Sequence, residues 1–444
     1  MKEKEKEKKI KGKWLAPTVC ASLFFIFHFS FFISGCQREG YIDENEVVLQ
    51  FSADTVAFDT VFTAMATTTR QVRVYNRTGR DVLLGSVTLE GGRDSRFRLN
   101  VDGDTSFVAR NIEIMAGDSI FIFIQACINP NDQTTPFVVE DAIRFSNGQR
   151  LPVTAWGRNA VYHTVPEGAW YSTIDCTAWD NSLPHVIVGP ALVPEGQTLT
   201  LGAGNTLYFA PDGMLIVDST ATLVVQGTEE RPVLFTSLRH DIWYDSLPGQ
   251  WQTIWFYNCS AGNIDHAIVE NGIGGLRGYP GAVLTVTNSV IRNMSDCGII
   301  GQGATITGDN LLLYDCLADV TVLCGGNYSF NRCTFANYWT YNVRKIESVV
   351  LSNCMRATDG SVVGGDLVRA DFTDCIVYGT YNTGEVLLSQ LEGFAFNYGF
   401  NHSIVRGGEW DEDPLFVDPY HDDYHLQEES PAAGIGYQFP QVTP

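Results

Sequence analysis

The sequence predicts an all-β chain in two parts, a sandwich of short strands followed by a coil of stacked parallel strands. Three observations carry this expectation. Short apolar runs separated by turn residues fill 47–158. A pattern stepping every 21–22 residues starts near 260. Glycine is plentiful, at 42 of 444 residues, as architectures rich in turns require.

The amino terminus comes first. Met1 to Lys13 is charged, and Leu15 to Ile33 is apolar and rich in Phe. The run ends in Ile33-Ser34-Gly35-Cys36. This resembles the lipobox of bacterial lipoproteins, where small residues let an extended backbone enter a signal peptidase. The resemblance implies that 1–35 is removed and that Cys36 carries a diacylglyceryl group. Residues 36–46 then form the lipidated cysteine and a polar tether. The alternative is an uncleaved spanning helix. Pro17, His28 and Ser30 interrupt the run, and the chain turns polar after Cys36. Membrane contact is then through lipid alone. Gln37 stands where an aspartate would signal retention at the inner membrane, so the resemblance implies an outer-membrane lipoprotein, with the cell surface favoured.

Residues 47–158 hold about seven short strands. Val47–Phe51, Gln71–Tyr75, Val82–Leu89 and Ile120–Ile128 are the clearest, with a hairpin of Ala142–Phe145 and Leu151–Trp156 around Asn147-Gly148. Phe58-Asp59-Thr60-Val61-Phe62, a hairpin ending in Tyr75-Asn76 and a late strand after Gly117-Asp118 are similar to immunoglobulin-like modules of secreted bacterial proteins. Cys127 is the only cysteine there, so no disulfide joins the sheets. The resemblance implies a spacer. A linker, 159–184, follows.

The repeat sets the second part. Ala267–Asn271, Ser289–Asn293, Leu311–Asp315 and Cys333–Asn337 step by 22, and copies at Cys354 and Cys375 step by 21. A step this short suits one coil of three strands, with neighbouring coils about 4.8 Å apart. Three columns follow. Ile268, Val290, Leu312, Thr334, Met355 and Ile376 form one, and Asn271, Asn293, Asp315 and Asn337 a polar ladder at a turn. Ala267, Ser289, Leu311, Cys333, Cys354 and Cys375 form the third, its last three members read as small buried thiols. The pattern resembles the right-handed parallel β-helix proteins, the superfamily that includes pectate lyases, over 185–430. Ala191 to Gly227 is similar to first coils, and 412–436 to a terminal cap, which protects open strand edges. Residues 431–444 are a tail. Of 11 cysteines, nine lie beyond Cys36, an odd number. Free thiols are expected, with Cys316 and Cys324 a less clear pair.

Charge narrows the partners. The chain carries −22, and beyond residue 35 it has 22 basic against 48 acidic residues, with Lys345 its only lysine. Such a surface repels nucleic acid and anionic membranes. A neutral glycan or an envelope protein is the expected partner.

The family resemblance implies two chemistries. Lyases of the superfamily use aspartates for Ca²⁺ and a Lys or Arg base; hydrolases use aspartates with Gly-His-Gly and Arg-Ile-Lys motifs. Both hydrolase motifs are absent. Arg344 and Lys345 are the only candidates for a catalytic base. Asp241, Asp245, Asp411, Glu412 and Asp413 are candidate Ca²⁺ ligands, without a supporting calcium motif. No other cofactor is expected. Two insertions are rich in aromatics: Trp243 and Tyr244 with Trp251 and Trp255, and Tyr338, Trp339 and Tyr341. Sugar C–H faces stack on such rings. The expected function is therefore binding of a polysaccharide or partner protein without catalysis. The alternatives are a polysaccharide lyase or glycoside hydrolase in a groove of the β-helix, and a structural component of an envelope assembly.

Overall fold

The computed structural model describes residues 40–65, 69–176, 179, 181–239 and 244–439. Cys36 and the signal segment lie outside these residues, as do Asp241 and Trp243. Among the described residues there is no α-helix, only strands, turns and three 3₁₀ turns. The described chain forms two compact units. One holds 40–58, 69–127 and 140–154, and the other holds 59–65, 128–139 and 155–439.

The first unit is built on two sheets. In one, Arg70–Tyr75 pairs antiparallel with Gln50–Phe51 and with Ser119–Ala126, which also pairs with Phe97–Val101. In the other, Val82–Leu89 pairs antiparallel with Val108–Ile114 and Phe137–Phe145. Alternation explains the core. Val72, Val74, Ile122 and Ile124 point inward from the first sheet, and Val82, Leu84 and Val87 from the second, all buried. Phe51 meets Phe145 across the sheets with ring centres 5.1 Å apart, and Phe58 meets Phe97 at 5.9 Å. The stretch expected as a tether is held to this unit from Gly40 on. The Arg80 guanidinium donates to the carbonyls of Gly40 and Tyr41, and Glu44 accepts from the Gly85 N–H at 2.8 Å. Backbone carbonyls and a carboxylate, polar in sequence, thus find donors in the fold.

The second unit is wound from long parallel sheets, as a parallel β-helix is. A typical coil has three strands. Cys297–Gln302 lies in a nine-stranded sheet, and Thr305–Tyr314 bends at Asn310 to supply two further faces. The bend recurs in six successive coils, at His266, Asn288, Asn310, Arg332, Asp374 and His402, all left-handed with φ of 47–55°. Asn and Asp tolerate this backbone best. They also bond along the stack: Asn310 donates to Asn288 Oδ1 at 3.0 Å, and Asn288 to Asp265 at 2.9 Å.

Register confirms the column Ile268, Val290, Leu312 and Thr334, and corrects its continuation. Thr334 pairs with Ile376, not Met355, and Ile376 with Ile404. The two apparent steps of 21 are one long coil. Cys354 and Met355 instead form an antiparallel hairpin, Cys354–Arg356 with Val362–Gly364, that protrudes from that coil. Cys333 and Cys375 are buried in the core as expected, whereas Cys354 is only partly buried. All nine described cysteines are free, Cys316 and Cys324 included.

Two boundaries move. The expected linker already contains the first coil, because Val161–Thr164 pairs in parallel with His185–Val188 and Ser172–Thr173 with Ala191–Leu192. Trp179 stacks on His185 there, with ring centres 3.8 Å apart. The expected cap and tail, from Phe416 to Phe439, pack along the side of the coils. Phe416, Tyr424, Ala432 and Ile435 cover Leu312, Ile376 and Ile404. Inside the coils a continuous apolar core runs the length of the unit. It includes a stack of Phe330, Phe372 and Phe400 at 5.2 and 4.8 Å.

Candidate functional site

The strand Ile254–Phe256 places the site. Ile254 and Phe256 point into the core and are fully buried, so Trp255 points outward. Register sets its neighbours: Ile216 in the coil before and Arg277 in the coil after. Tyr257 and Tyr279 complete an aromatic cluster. Trp255 lies 5.0 Å from Tyr279 and 6.1 Å from Tyr257, and the two tyrosines are 6.4 Å apart. Tyr257 is 42% exposed, while Trp255 and Tyr279 are half-buried. Beside them Arg277 pairs with Asp296. Rings edged by a charged pair can take the apolar face of a sugar and bond its hydroxyls. Tyr257 and Tyr279 were missed in the sequence, although they stand one repeat step of 22 apart.

The remaining candidates are scattered. Trp251 is fully buried, stacks on Phe209 at 4.2 Å and donates to the Glu270 carbonyl at 2.8 Å. It is a core residue. Trp339 is 7% exposed and bonds Asn342 at 3.0 Å. Tyr338 packs on Tyr420 at 5.3 Å and on Phe416 and Tyr424. Its hydroxyl pKa is raised by burial. Tyr244 is half-buried, with the Arg239 guanidinium over its ring at 3.2 Å. The two aromatic insertions do meet, because the Tyr341 hydroxyl donates to the Ser246 carbonyl.

Arg344 is not placed as a free base. Its guanidinium grips Glu385, with Nη1 at 2.7 Å from Oε2, and both side chains are almost wholly buried, at 3% and 0% exposed. Glu385 also accepts from the N–H groups of Ser348 and Tyr381, at 3.1 and 2.9 Å. Arg344 further lies over the Tyr381 ring at 4.1 Å. The pair holds the insertion 338–347 to the coil that follows. Lys345, the next residue, is exposed.

The calcium candidates do not converge. Among the described residues no group of three or more His, Cys, Asp or Glu side chains stands in metal-binding geometry. Asp411 lies 3.8 Å from Arg406, and Asp413 accepts from the Leu415 N–H at 2.9 Å. Asp245 and Glu412 are exposed. Asp411 and Asp413 thus serve their own loop.

The polar ladder is partly as expected. Asn293 donates from Nδ2 to Asn271 Oδ1 at 2.5 Å and to the Ser246 carbonyl at 2.6 Å. Asn271 donates to the Asp245 carbonyl at 2.9 Å, so the ladder holds the insertion 244–249. Asn337 turns away to the Cys316 carbonyl. Asp315 stands between, and its carboxyl is pushed up to about 7 by burial and by Asp422 beside it.

No protein-family profile matches the chain, and no curated protein matches it. Among solved structures it aligns with a GH87 alpha-1,3-glucanase catalytic domain in complex with nigerose, at 10% identity and a TM-score of 0.15. That alignment covers 75% of this chain and 78% of that one. Two aspartate-to-alanine forms of that kind of domain, also with nigerose, align at 9% and 10% identity and a TM-score of 0.16. Each covers 77% of this chain and 75% of the other. Likenesses this slight add nothing to the fold that strand register already defines.

Proposed function

We propose that the chain is an outer-membrane lipoprotein, anchored through Cys36, whose right-handed β-helix binds a polysaccharide without cleaving it. An immunoglobulin-like first unit links anchor and helix. The observation that carries the reading is the cluster of Trp255, Tyr257 and Tyr279 on the outside of two successive coils. Rings at 5–6 Å spacing present one continuous apolar surface, which suits pyranose faces more than a charged peptide. The acidic surface favours a neutral glycan. Arg344, spent on Glu385, supports binding over lyase chemistry.

The test is calorimetry of the purified protein against a panel of neutral and acidic polysaccharides. A neutral glycan is expected to bind, and Trp255→Ala to weaken it at least about tenfold, roughly 1.4 kcal/mol. Absence of binding across the panel, or binding indifferent to Trp255→Ala and Tyr279→Ala, overturns the reading. Release of unsaturated or reducing ends from any glycan overturns its non-catalytic part.

A further inference from the structure

The ladder at the turn ends in an unbalanced group of oxygens. Asn293 is only 6% exposed, yet its Oδ1 is buried without a hydrogen-bond partner. Its Nδ2 is aimed at Asn271 in the preceding coil. Nδ2 is thus committed to the preceding coil and to the Ser246 carbonyl, and Oδ1 is the end left for the following coil. There Arg292 pairs in register with Tyr314, which sets Asp315 beside Asn293. Asp315 Oδ1 is likewise buried without a partner. The carboxyl of Asp422, on the turn before the strand Asp423–Leu426, lies within hydrogen-bond reach of Asp315.

Three side-chain groups thus meet at this rung; the Tyr338 N–H bonds the Asp315 carboxyl, yet Asp315 Oδ1 and Asn293 Oδ1 stay unpaired. The nearest cation, Arg292, is already committed. It donates to Glu270 at 2.9 and 2.7 Å and to the Tyr314 hydroxyl at 2.7 Å. Two carboxylates and an amide oxygen form a hard-oxygen set, and hard divalent cations take such sets with water completing the shell.

We propose that Asn293 Oδ1, Asp315 and Asp422 bind a calcium ion that pins the C-terminal hairpin to the coils. None of these residues belongs to the aspartate candidates drawn from the insertions. The ion replaces the missing donor at both orphan oxygens and cancels the repulsion between the carboxylates. It also closes the apolar cover, because Tyr424 of the same hairpin lies over Tyr314 with ring centres 4.7 Å apart.

Terbium tests this directly, because Tyr314, Tyr341 and Tyr424 surround the site and can transfer excitation to a bound Tb³⁺. The purified protein is expected to show Tb³⁺ emission under tyrosine excitation. Ca²⁺ should displace it at about 0.1–1 mM, as in extracellular calcium modules. Ca²⁺ should also raise the melting temperature. Asp422→Asn changes an exposed residue and leaves the core intact; it should weaken binding at least about tenfold. Asp315→Asn should do the same with an unchanged circular dichroism spectrum. Absence of Tb³⁺ emission together with a melting temperature indifferent to Ca²⁺ overturns the proposal and leaves a shared proton between the carboxyls. Emission that survives both substitutions also overturns it.

Discussion

Two outer faces of the coiled unit differ in what lies on them. On one, the column Leu312, Thr334, Ile376 and Ile404 is almost wholly buried, because Phe416, Tyr424, Ala432 and Ile435 cover it. On the other, Trp255, Tyr257 and Tyr279 keep part of their rings in solvent. Both faces follow from the same 22-residue step. The covered face is a second core, and its residues earn stability by losing water. The open face gains little by folding and is left free to bind. A large apolar side chain pointing out of a coil therefore has no fixed meaning until the path of the tail is known.

The contrast can be broken most strongly at the cover. Tyr424→Ala removes a buried ring over Tyr314 and is expected to cost about 3–5 kcal/mol in denaturant unfolding. A loss below about 1 kcal/mol would mean the hairpin is not part of the core.

Glu385→Ala comes next, because it strands the buried Arg344 guanidinium. It is expected to cost about 3–5 kcal/mol, most of it recovered when Arg344 is also replaced by Met. Glycan affinity of the refolded variant should not change. An affinity drop without a stability loss would return Arg344 to the list of functional groups.

A smaller effect comes from pH in protein stripped of metal by chelator. Burial and Asp422 hold the Asp315 carboxyl at about 7, against 3.8 in an unfolded chain. The folded state therefore keeps a proton that the unfolded state has released. The stability this contributes is full below about 4 and is lost as pH rises to about 7. Asp315→Asn should flatten that part of the profile, measured as unfolding free energy against pH. An unchanged slope would show that Asp315 is not the titrating group.

The smallest stability effect is expected on the open face. Tyr257→Ala should shift unfolding by no more than about 0.5 kcal/mol while lowering glycan affinity, which is the reverse of Tyr424→Ala. If Tyr257→Ala destabilises as much as Tyr424→Ala, the two faces are not different in kind.

Much of this was legible in the residues alone. The coil step, the inward columns and the ladder of Asn271 and Asn293 depend on neighbours one coil apart, and a periodic sequence records them. The corner at Asn288 and Asn310 was equally available, since a left-handed residue stands at it in six successive coils. Two features were misread locally. Cys354 carries the look of the repeat but sits in a hairpin, because backbone pairing and not residue type decides which strands are coils. Trp251 is as aromatic as Trp255, yet the phase of its loop turns it inward against Phe209.

By itself the sequence determined the all-β class, the repeat and the residues able to stand at its corners, because these depend on short-range periodicity and backbone preference. Only the tertiary structure decided which outer face the tail would cover, that Arg344 would meet Glu385, and that Asp315 would meet Asp422. Those partners are separated by insertions whose lengths carry no period. Their meeting is set by how the coils and the returning chain close on one another.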